Sequence, residues 1–194
     1  TECCPMVSLS PYNQEGYDGT IGIPAPSTDI KIMLDDGSEA PIGEAGEMWV
    51  QGPQVMKGYY NREDATNEIL KDGWLATGDI AFMDERGYFK IVDRKKDMII
   101  VSGFNVFPNE IEEIAVGHPS VIEAAAVGVP HEVSGEVVKL FVVVKDPKPT
   151  KEEIIAHCKL GLTNYKVPKI INTAISPILR TIAGLHPLQK QLDI

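Results

Sequence analysis

The first half of the chain consists of short runs in which apolar and polar residues alternate, a pattern typical of strands. Residues 29–34, 47–51, 74–83 and 88–92 follow this pattern, and turn-forming residues separate them. Residues 62–71 instead carry apolar positions at helical spacing, and an Asp-Gly pair ends them. Because no strand–helix–strand rhythm is visible, the pattern predicts a small β-sheet or a partly open β-barrel.

The second half changes rhythm. Residues 99–101 form an apolar run, and residues 121–129 and 137–144 are rich in β-branched residues, which favours three strands. Residues 108–116 begin with proline and contain several glutamates, which favours a helix. A Thr-x-x-Glu capping box at residue 150 predicts a helix through about residue 162. The predicted fold class is mixed: a small β-rich subdomain followed by a compact α+β C-terminal domain.

Charge divides the chain near the same point. The 194 residues carry a formal net charge of −10, and all of it lies in residues 1–92, which hold 6 Lys+Arg against 16 Asp+Glu. This balance argues against nucleic-acid binding. The cysteines Cys3, Cys4 and Cys158 lack metal-ligand spacing, so we expect reduced thiols, as in cytoplasmic proteins. No run approaches the roughly 20 apolar residues of a membrane span.

Seven groups of short segments carry a more specific signal. They are TEC at 1–3, GE at 46–47 with GPQVMKGY at 52–59, GWLATGD at 73–79, IVDRKKD at 91–97, VSGFN at 101–105, PNEIE at 108–112 and YKVPK at 165–169. Each alone is a weak signal. In this order and at this spacing, they resemble the C-terminal part of an adenylate-forming acyl-CoA ligase, and most of all a bacterial long-chain-fatty-acid–CoA ligase.

The resemblance implies a two-step reaction that uses ATP, Mg²⁺ and coenzyme A. A fatty carboxylate attacks the α-phosphate of ATP to give an acyl-adenylate and pyrophosphate, and the coenzyme A thiolate then displaces AMP. It also implies that a small C-terminal domain swings about a hinge between the two steps. The corresponding parts of this chain are the distal β-rich part of the AMP-binding domain at 1–92, the hinge at 93–97 and the mobile α+β domain at 98–194.

The resemblance assigns nucleotide-binding roles to Thr1, Asp79, Arg94 and Lys96 and a metal-binding role to Glu2. Thr1 matches a threonine whose hydroxyl faces the phosphate, and Glu2 matches a carboxylate associated with Mg²⁺. Asp79 matches an aspartate that accepts hydrogen bonds from the ribose hydroxyls, with a turn-capping role as the alternative. Arg94 matches an arginine whose planar guanidinium contacts the nucleotide.

Three residues near the predicted hinge complete the set. Lys96 matches the hinge position itself, and the alternative is a solvated lysine in a basic run. Ser102 and Gly103 match the path of coenzyme A, where a strand glycine without Cβ lets pantetheine pass close to the backbone. For Gly103 the alternative is a strand bulge.

The resemblance stops at both ends of the chain. In the family, the glycine-rich phosphate loop, the acyl tunnel and most of the adenine pocket would lie before Thr1, so we expect the missing N-terminal part of the ligase as a partner. After Lys169 the family continues to a Gly-Lys pair whose lysine assists adenylation. No such pair follows here, since Lys190 comes six positions after Gly184. The catalytic lysine is not identified, and we expect an atypical tail from about residue 171.

Two functional interpretations stay open. The first is the C-terminal fragment of an ATP-dependent long-chain fatty acid–CoA ligase, an acid–thiol ligase that acts on a fatty acid and coenzyme A. The second is a non-catalytic remnant or complementing partner domain of a medium-chain or aryl acid–CoA ligase. The resemblance implies a cytoplasmic location and, from the lipid substrate, peripheral contact with the inner membrane.

We expect the chain alone to be inactive as a ligase, because a site whose parts act as a unit loses nearly all activity when one part is missing. Purified chain incubated with ATP, Mg²⁺, coenzyme A and palmitate should form no acyl-CoA above a buffer blank. Turnover that survives repurification would contradict this expectation.

Overall fold

The fold, taken from a computed structural model, is described for residues 1–4, 6–12 and 16–173. The chain divides into two compact units, Thr1–Lys96 and Asp97–Ile194. This division falls inside the segment 93–97, whose role as a hinge stays a prediction. The mixed helix and strand content expected from the sequence is confirmed. Among the described residues, no helix is both long and apolar enough to span a bilayer.

The first unit consists mainly of strands. Its elements are β1 (Ser8–Leu9), β2 (Ile23–Pro24), β3 (Asp29–Met33), β4 (Gly46–Gln51), α1 (Glu63–Ile69), β5 (Leu70–Lys71), β6 (Trp74–Met83) and β7 (Phe89–Arg94). Five strands form an antiparallel sheet in the order β3-β4-β6-β5, and β7 also pairs with β6, while β1 and β2 form a separate pair. The helix predicted over 62–71 is shorter than expected, because its last two residues turn into β5 and pair with β6.

Alternation along the strands builds the core of this unit. Met48 and Val50 on β4 are buried, and they pack with Ile32 of β3, Ala81 of β6 and Phe89 of β7. Successive side chains of a strand point to opposite faces, so the polar and aromatic residues between these positions lie on the other face of the sheet. One face of the sheet therefore carries the core.

The second unit combines a five-stranded sheet with two helices. Its elements are β8 (Ile99–Val101), β9 (Phe104–Val106), α2 (Pro108–Val116), β10 (Val121–His131), β11 (Gly135–Val144), α3 (Lys151–Gly161) and β12 (Ile170–Thr173), and a 3-10 turn at Lys95–Asp97 precedes them. The sheet order is β10-β11-β8-β9, with β12 parallel to β11. The bounds predicted for β8 and α2 are those of the structure.

The two helices pack on this sheet through a single apolar cluster. Ile111 of α2 and Ile154 and Cys158 of α3 are almost fully buried against residues that include Leu140 of β11. The predicted capping box is present at the start of α3, where the Thr150 side chain and the Glu153 carboxylate satisfy each other's backbone N–H groups. The cap fixes where α3 begins, and the apolar residues of α3 fix which side of the helix faces the sheet.

Only the start of the predicted atypical tail lies among the described residues. Ile171 is 4% exposed in the core of the second unit, because β12 pairs with β11 and directs this side chain inward. The atypical tail expected from about residue 171 stays a prediction. Residues 174–194, which contain Lys190, lie outside the described residues.

A polar network on the surface of the first unit joins the loop before β2 to the β6–β7 turn. The Thr20 hydroxyl donates to Asp18 Oδ1 at 2.6 Å, and Arg86 Nη2 lies 3.0 Å from Asp18 Oδ2 and 2.7 Å from Asp84 Oδ2. These contacts, the Thr20 hydrogen bond foremost, lower the pKa of Asp18 to about 2. The ionised carboxylate therefore links two loops that are distant in sequence.

Replacement of Asp18 by Asn should flatten the acid dependence of the first unit's stability. Because the pKa of Asp18 is lower in the folded chain than its ordinary 3.8, its contribution is complete above about pH 4 and is lost as the pH falls through about 2. Both tryptophans, Trp49 and Trp74, lie in the first unit, so their fluorescence during urea unfolding between pH 2 and pH 6 reports on it. Asp72→Asn is the control and should keep the wild-type slope. An Asp18→Asn slope equal to the wild type would contradict this role.

Candidate functional site

A bulge in β6 creates the central part of the candidate site. Glu47 of β4 pairs with Ile80 and Trp49 pairs with Ala76, so Met48 alone faces residues 77–79 of β6. The Thr77 hydroxyl bridges this gap by donating to the Met48 carbonyl at 2.8 Å, and it also accepts the Asp79 N–H at 3.1 Å. Two additional residues on one strand re-aim the side chains that follow them. The bulge therefore determines the position of Asp79.

Asp79 forms an ion pair with Arg94 across β6 and β7. The two residues are direct register partners, and Arg94 Nε lies 3.1 Å from Asp79 Oδ1. Among the described residues, no side chain or backbone group donates a hydrogen bond to Oδ2. Burial raises the pKa of Asp79, and the Arg94 charge opposes that rise. The pair thus presents a partly covered carboxylate beside an exposed guanidinium.

Asp79 and Arg94 line a cleft of about 450 Å³ that also contains Thr1, Glu2 and Tyr59. This volume lies within the roughly 300–1,000 Å³ range of small-molecule sites. The Tyr59 hydroxyl donates to Glu2 Oε1 at 2.9 Å, and this bond is the main cause that lowers the pKa of Glu2. The structure thus brings together four of the residues singled out in the sequence: Thr1, Glu2, Asp79 and Arg94. Their individual roles stay predictions.

Lys96 lies beside this cleft rather than among its lining residues. It lines an adjoining depression of about 370 Å³ together with Arg94 and Lys95, and with residues 77 and 78 of the bulge. Lys95 forms ion pairs with two carboxylates, since its ammonium lies 3.0 Å from Glu47 Oε2 and 3.7 Å from Asp35 Oδ1. Lys96 is exposed, and among the residues that the structure describes it forms no ion pair. Its nucleotide and hinge roles remain predictions.

Ser102 and Gly103 belong to the second unit. The resemblance implied a strand position for Gly103, but the residue lies in a turn. The two residues form the turn of the β8–β9 hairpin, where Val101 pairs with Phe104. Their φ angles are +52° and +83°, the left-handed values that a two-residue turn of type I′ requires at both positions. Ser102 N donates to the Ser134 carbonyl at 2.7 Å, which fastens the turn to the β10–β11 loop. The role of this turn on the path of coenzyme A stays a prediction.

Two cleft residues were not singled out from the sequence. Tyr59 contacts Glu2 although 57 positions separate them, and Thr77 supports the bulge that carries Asp79. Both lie inside the segments that carry the family resemblance, GPQVMKGY and GWLATGD. Membership in these segments is the signal that could have identified the two residues, because spacing along the chain predicts neither of their contacts.

The residues present fit a magnesium–nucleotide complex better than a metal held by protein ligands alone. No group of three or more His, Cys, Asp or Glu side chains that could hold a metal occurs within the described part of the chain. The cleft contains Glu2 and Asp79, with Arg94 paired to Asp79. Mg²⁺ is commonly bound through one or two carboxylates together with waters and substrate phosphates. The metal-binding role of Glu2 stays a prediction.

Two parts of the chain match families of known proteins. Residues 110–184 match the AMP-binding enzyme C-terminal domain, and residues 1–60 match the AMP-binding enzyme family. The first match extends beyond residue 171, where the sequence alone indicated a change. Together the two matches cover parts of both units.

Individual relatives agree with these matches. A long-chain-fatty-acid–CoA ligase of Yersinia pestis is 60% identical over 88% of this chain and 30% of the relative, and one of Haemophilus influenzae is 56% identical over 98% and 35%. The solved structure of o-succinylbenzoate coenzyme A synthetase from Bacillus subtilis in complex with AMP is 36% identical, with a TM-score of 0.79 over 90% of this chain and 36% of that chain. The chain thus spans about a third of the length of these proteins.

Replacement of Gly103 by Ala should destabilise the second unit by about 1 kcal/mol, because a side chain at a left-handed position is strained. A Cβ there would meet no heavy atom within 4 Å, so the cost comes from the backbone alone. Gly103→Asn should cost less, since Asn adopts this conformation more readily. Urea unfolding followed by circular dichroism measures both variants. Equal losses for Ala and Asn would contradict the backbone explanation.

Proposed function

Because the chain belongs to the AMP-binding enzyme family, we propose that it supplies the ribose-binding and magnesium-binding side of the active site of a long-chain fatty acid–CoA ligase. The observation that carries this proposal is the Asp79–Arg94 pair, held by the bulge in one cleft with Thr1 and Glu2. The names of the relatives support the substrate class, and the complete activity requires the remaining part of the ligase.

In the adenylation step, an oxygen of the fatty carboxylate forms a bond to the α-phosphorus of ATP, and pyrophosphate leaves. Asp79 would orient the ribose, because Oδ2 is available to accept from a ribose hydroxyl while Oδ1 is held by Arg94. The Arg94 guanidinium would face negative charge on the nucleotide, and the Thr1 hydroxyl would donate to a phosphate oxygen. Mg²⁺, held through Glu2, would neutralise charge on the phosphates.

In the second step, the coenzyme A thiolate attacks the carbonyl carbon of the acyl-adenylate, and AMP leaves. The second unit would contribute the Ser102–Gly103 turn to the path of the pantetheine arm. Its backbone lies at a tip where a Cβ on Gly103 would meet nothing within 4 Å, so a narrow substrate could approach closely. The change between steps would take place about the segment 93–97, where the two units divide.

The nucleotide-binding part of this proposal can be tested on the 194-residue chain by titration with AMP. We expect Asp79→Asn to weaken AMP binding about tenfold, because Asn replaces one acceptor oxygen by a donor and removes the charge that positions Arg94. Isothermal titration calorimetry or amide chemical shifts can follow the binding. Asp29→Asn, at an exposed position on β3 outside the cleft, is the matched control and should bind as the wild type does. Equal affinities for Asp79→Asn and Asp29→Asn would contradict the proposed site.

A further inference from the structure

Among the described residues, Tyr59 is the side chain that donates a hydrogen bond to the Glu2 carboxylate. Its hydroxyl donates to Oε1 at 2.9 Å, and Oε2 lies 3.3 Å from the Thr1 nitrogen. A hydrogen bond from a neutral donor to one carboxylate oxygen limits rotation of the group. The second oxygen therefore keeps a defined position in the cleft.

Backbone pairing fixes the two residues relative to each other. Met56 N donates to the Glu2 carbonyl at 2.8 Å, and Cys4 N donates to the Gln54 carbonyl at 3.1 Å, so residues 1–4 run beside residues 54–56. Tyr59 follows this pairing by three residues. The backbone pairing thus holds Glu2 in place, and the Tyr59 hydroxyl adds a side-chain contact next to it.

The helix α1 holds the backbone of Tyr59. The Tyr59 N–H donates to the Thr66 hydroxyl at 2.9 Å, and that hydroxyl donates to the Arg62 carbonyl at 2.8 Å. Gly58 makes this approach feasible, since a Cβ there would lie 2.8 Å from Thr66 Cγ2 and its φ is +150°. Tyr59 is therefore held at its backbone by α1 and at its hydroxyl by Glu2.

From this geometry we infer that Tyr59 is a positioning residue that orients the Glu2 carboxylate to receive a magnesium–nucleotide complex, an inference that rests on the proposed function. Partners that orient a metal ligand typically change metal affinity by roughly 10–100-fold when they are removed. Tyr59 would act through Glu2 and not on the reacting atoms themselves. Its loss should affect binding that depends on the metal and leave metal-free nucleotide binding nearly as it was.

The test measures Mn²⁺·ATP binding to the 194-residue chain by water-proton relaxation, with Mn²⁺ in place of Mg²⁺, and metal-free AMP binding by calorimetry. Tyr59→Phe should weaken Mn²⁺·ATP binding about tenfold and change AMP binding less than twofold. Tyr60→Phe is the matched control, because Tyr60 is the adjacent tyrosine and is 92% exposed. In a Glu2→Gln background, Tyr59→Phe should add less than a twofold effect. Thermal unfolding checks that each variant is folded.

Each other result overturns the inference in a distinguishable way. If Tyr59→Phe binds Mn²⁺·ATP as the wild type does while the wild type binds AMP, the positioning role is wrong and the proposed nucleotide site stands. If Tyr59→Phe weakens AMP and Mn²⁺·ATP equally, Tyr59 supports the cleft as a whole and does not act through the metal ligand. If the wild-type chain binds neither AMP nor Mn²⁺·ATP, both the nucleotide site and this inference are wrong.

Discussion

The ion pair between Asp79 and Arg94 is the interaction on which the candidate site depends. It exists because β6 carries two more residues than β4 between their common register positions, and Thr77 closes the resulting gap through the Met48 carbonyl. Without the bulge, Asp79 would face β4 and continue an ordinary ladder. The bulge instead leaves the Asp79 carboxylate beside a cation on the neighbouring strand, with one oxygen paired to Arg94. The sheet therefore serves as a rigid support for a polar pair, which is what a precise binding site requires.

In the second unit, side-chain contacts rather than a bulge hold the turn of interest. This unit presents the Ser102–Gly103 turn, and contacts around the hairpin hold this turn in place. Phe104 stacks on Tyr165 with ring centroids 4.9 Å apart, and Lys166 donates to both carboxylate oxygens of Glu110 at 2.7–2.8 Å. These contacts join the hairpin, the loop before β12 and the first turn of α2. The turn is therefore held in place although its tip carries no side chain at Gly103.

The sequence predicts the elements better than it predicts the contacts of the site. The bounds of β6, β8 and α2 follow from local patterns of alternation, an apolar run and an N-terminal proline, and these patterns are decided within each segment. The family resemblance implies a strand position for Gly103, whereas the apolar run ends at residue 101, and the structure has residues 102 and 103 as the turn of a hairpin. The Tyr59–Glu2 hydrogen bond and the bulge at residues 77–79 join segments that are distant in sequence. Such contacts depend on strand register, which a single sequence leaves open.

We propose that the bulge and Arg94 form a nucleotide site in the first unit. The most direct measurement is the amide chemical-shift change of the isotope-labelled chain on addition of AMP. We expect the largest changes at Thr77, Gly78, Asp79 and Arg94, with little change along β10 and β11. Changes concentrated away from the cleft, or no saturable change at any amide, would contradict it.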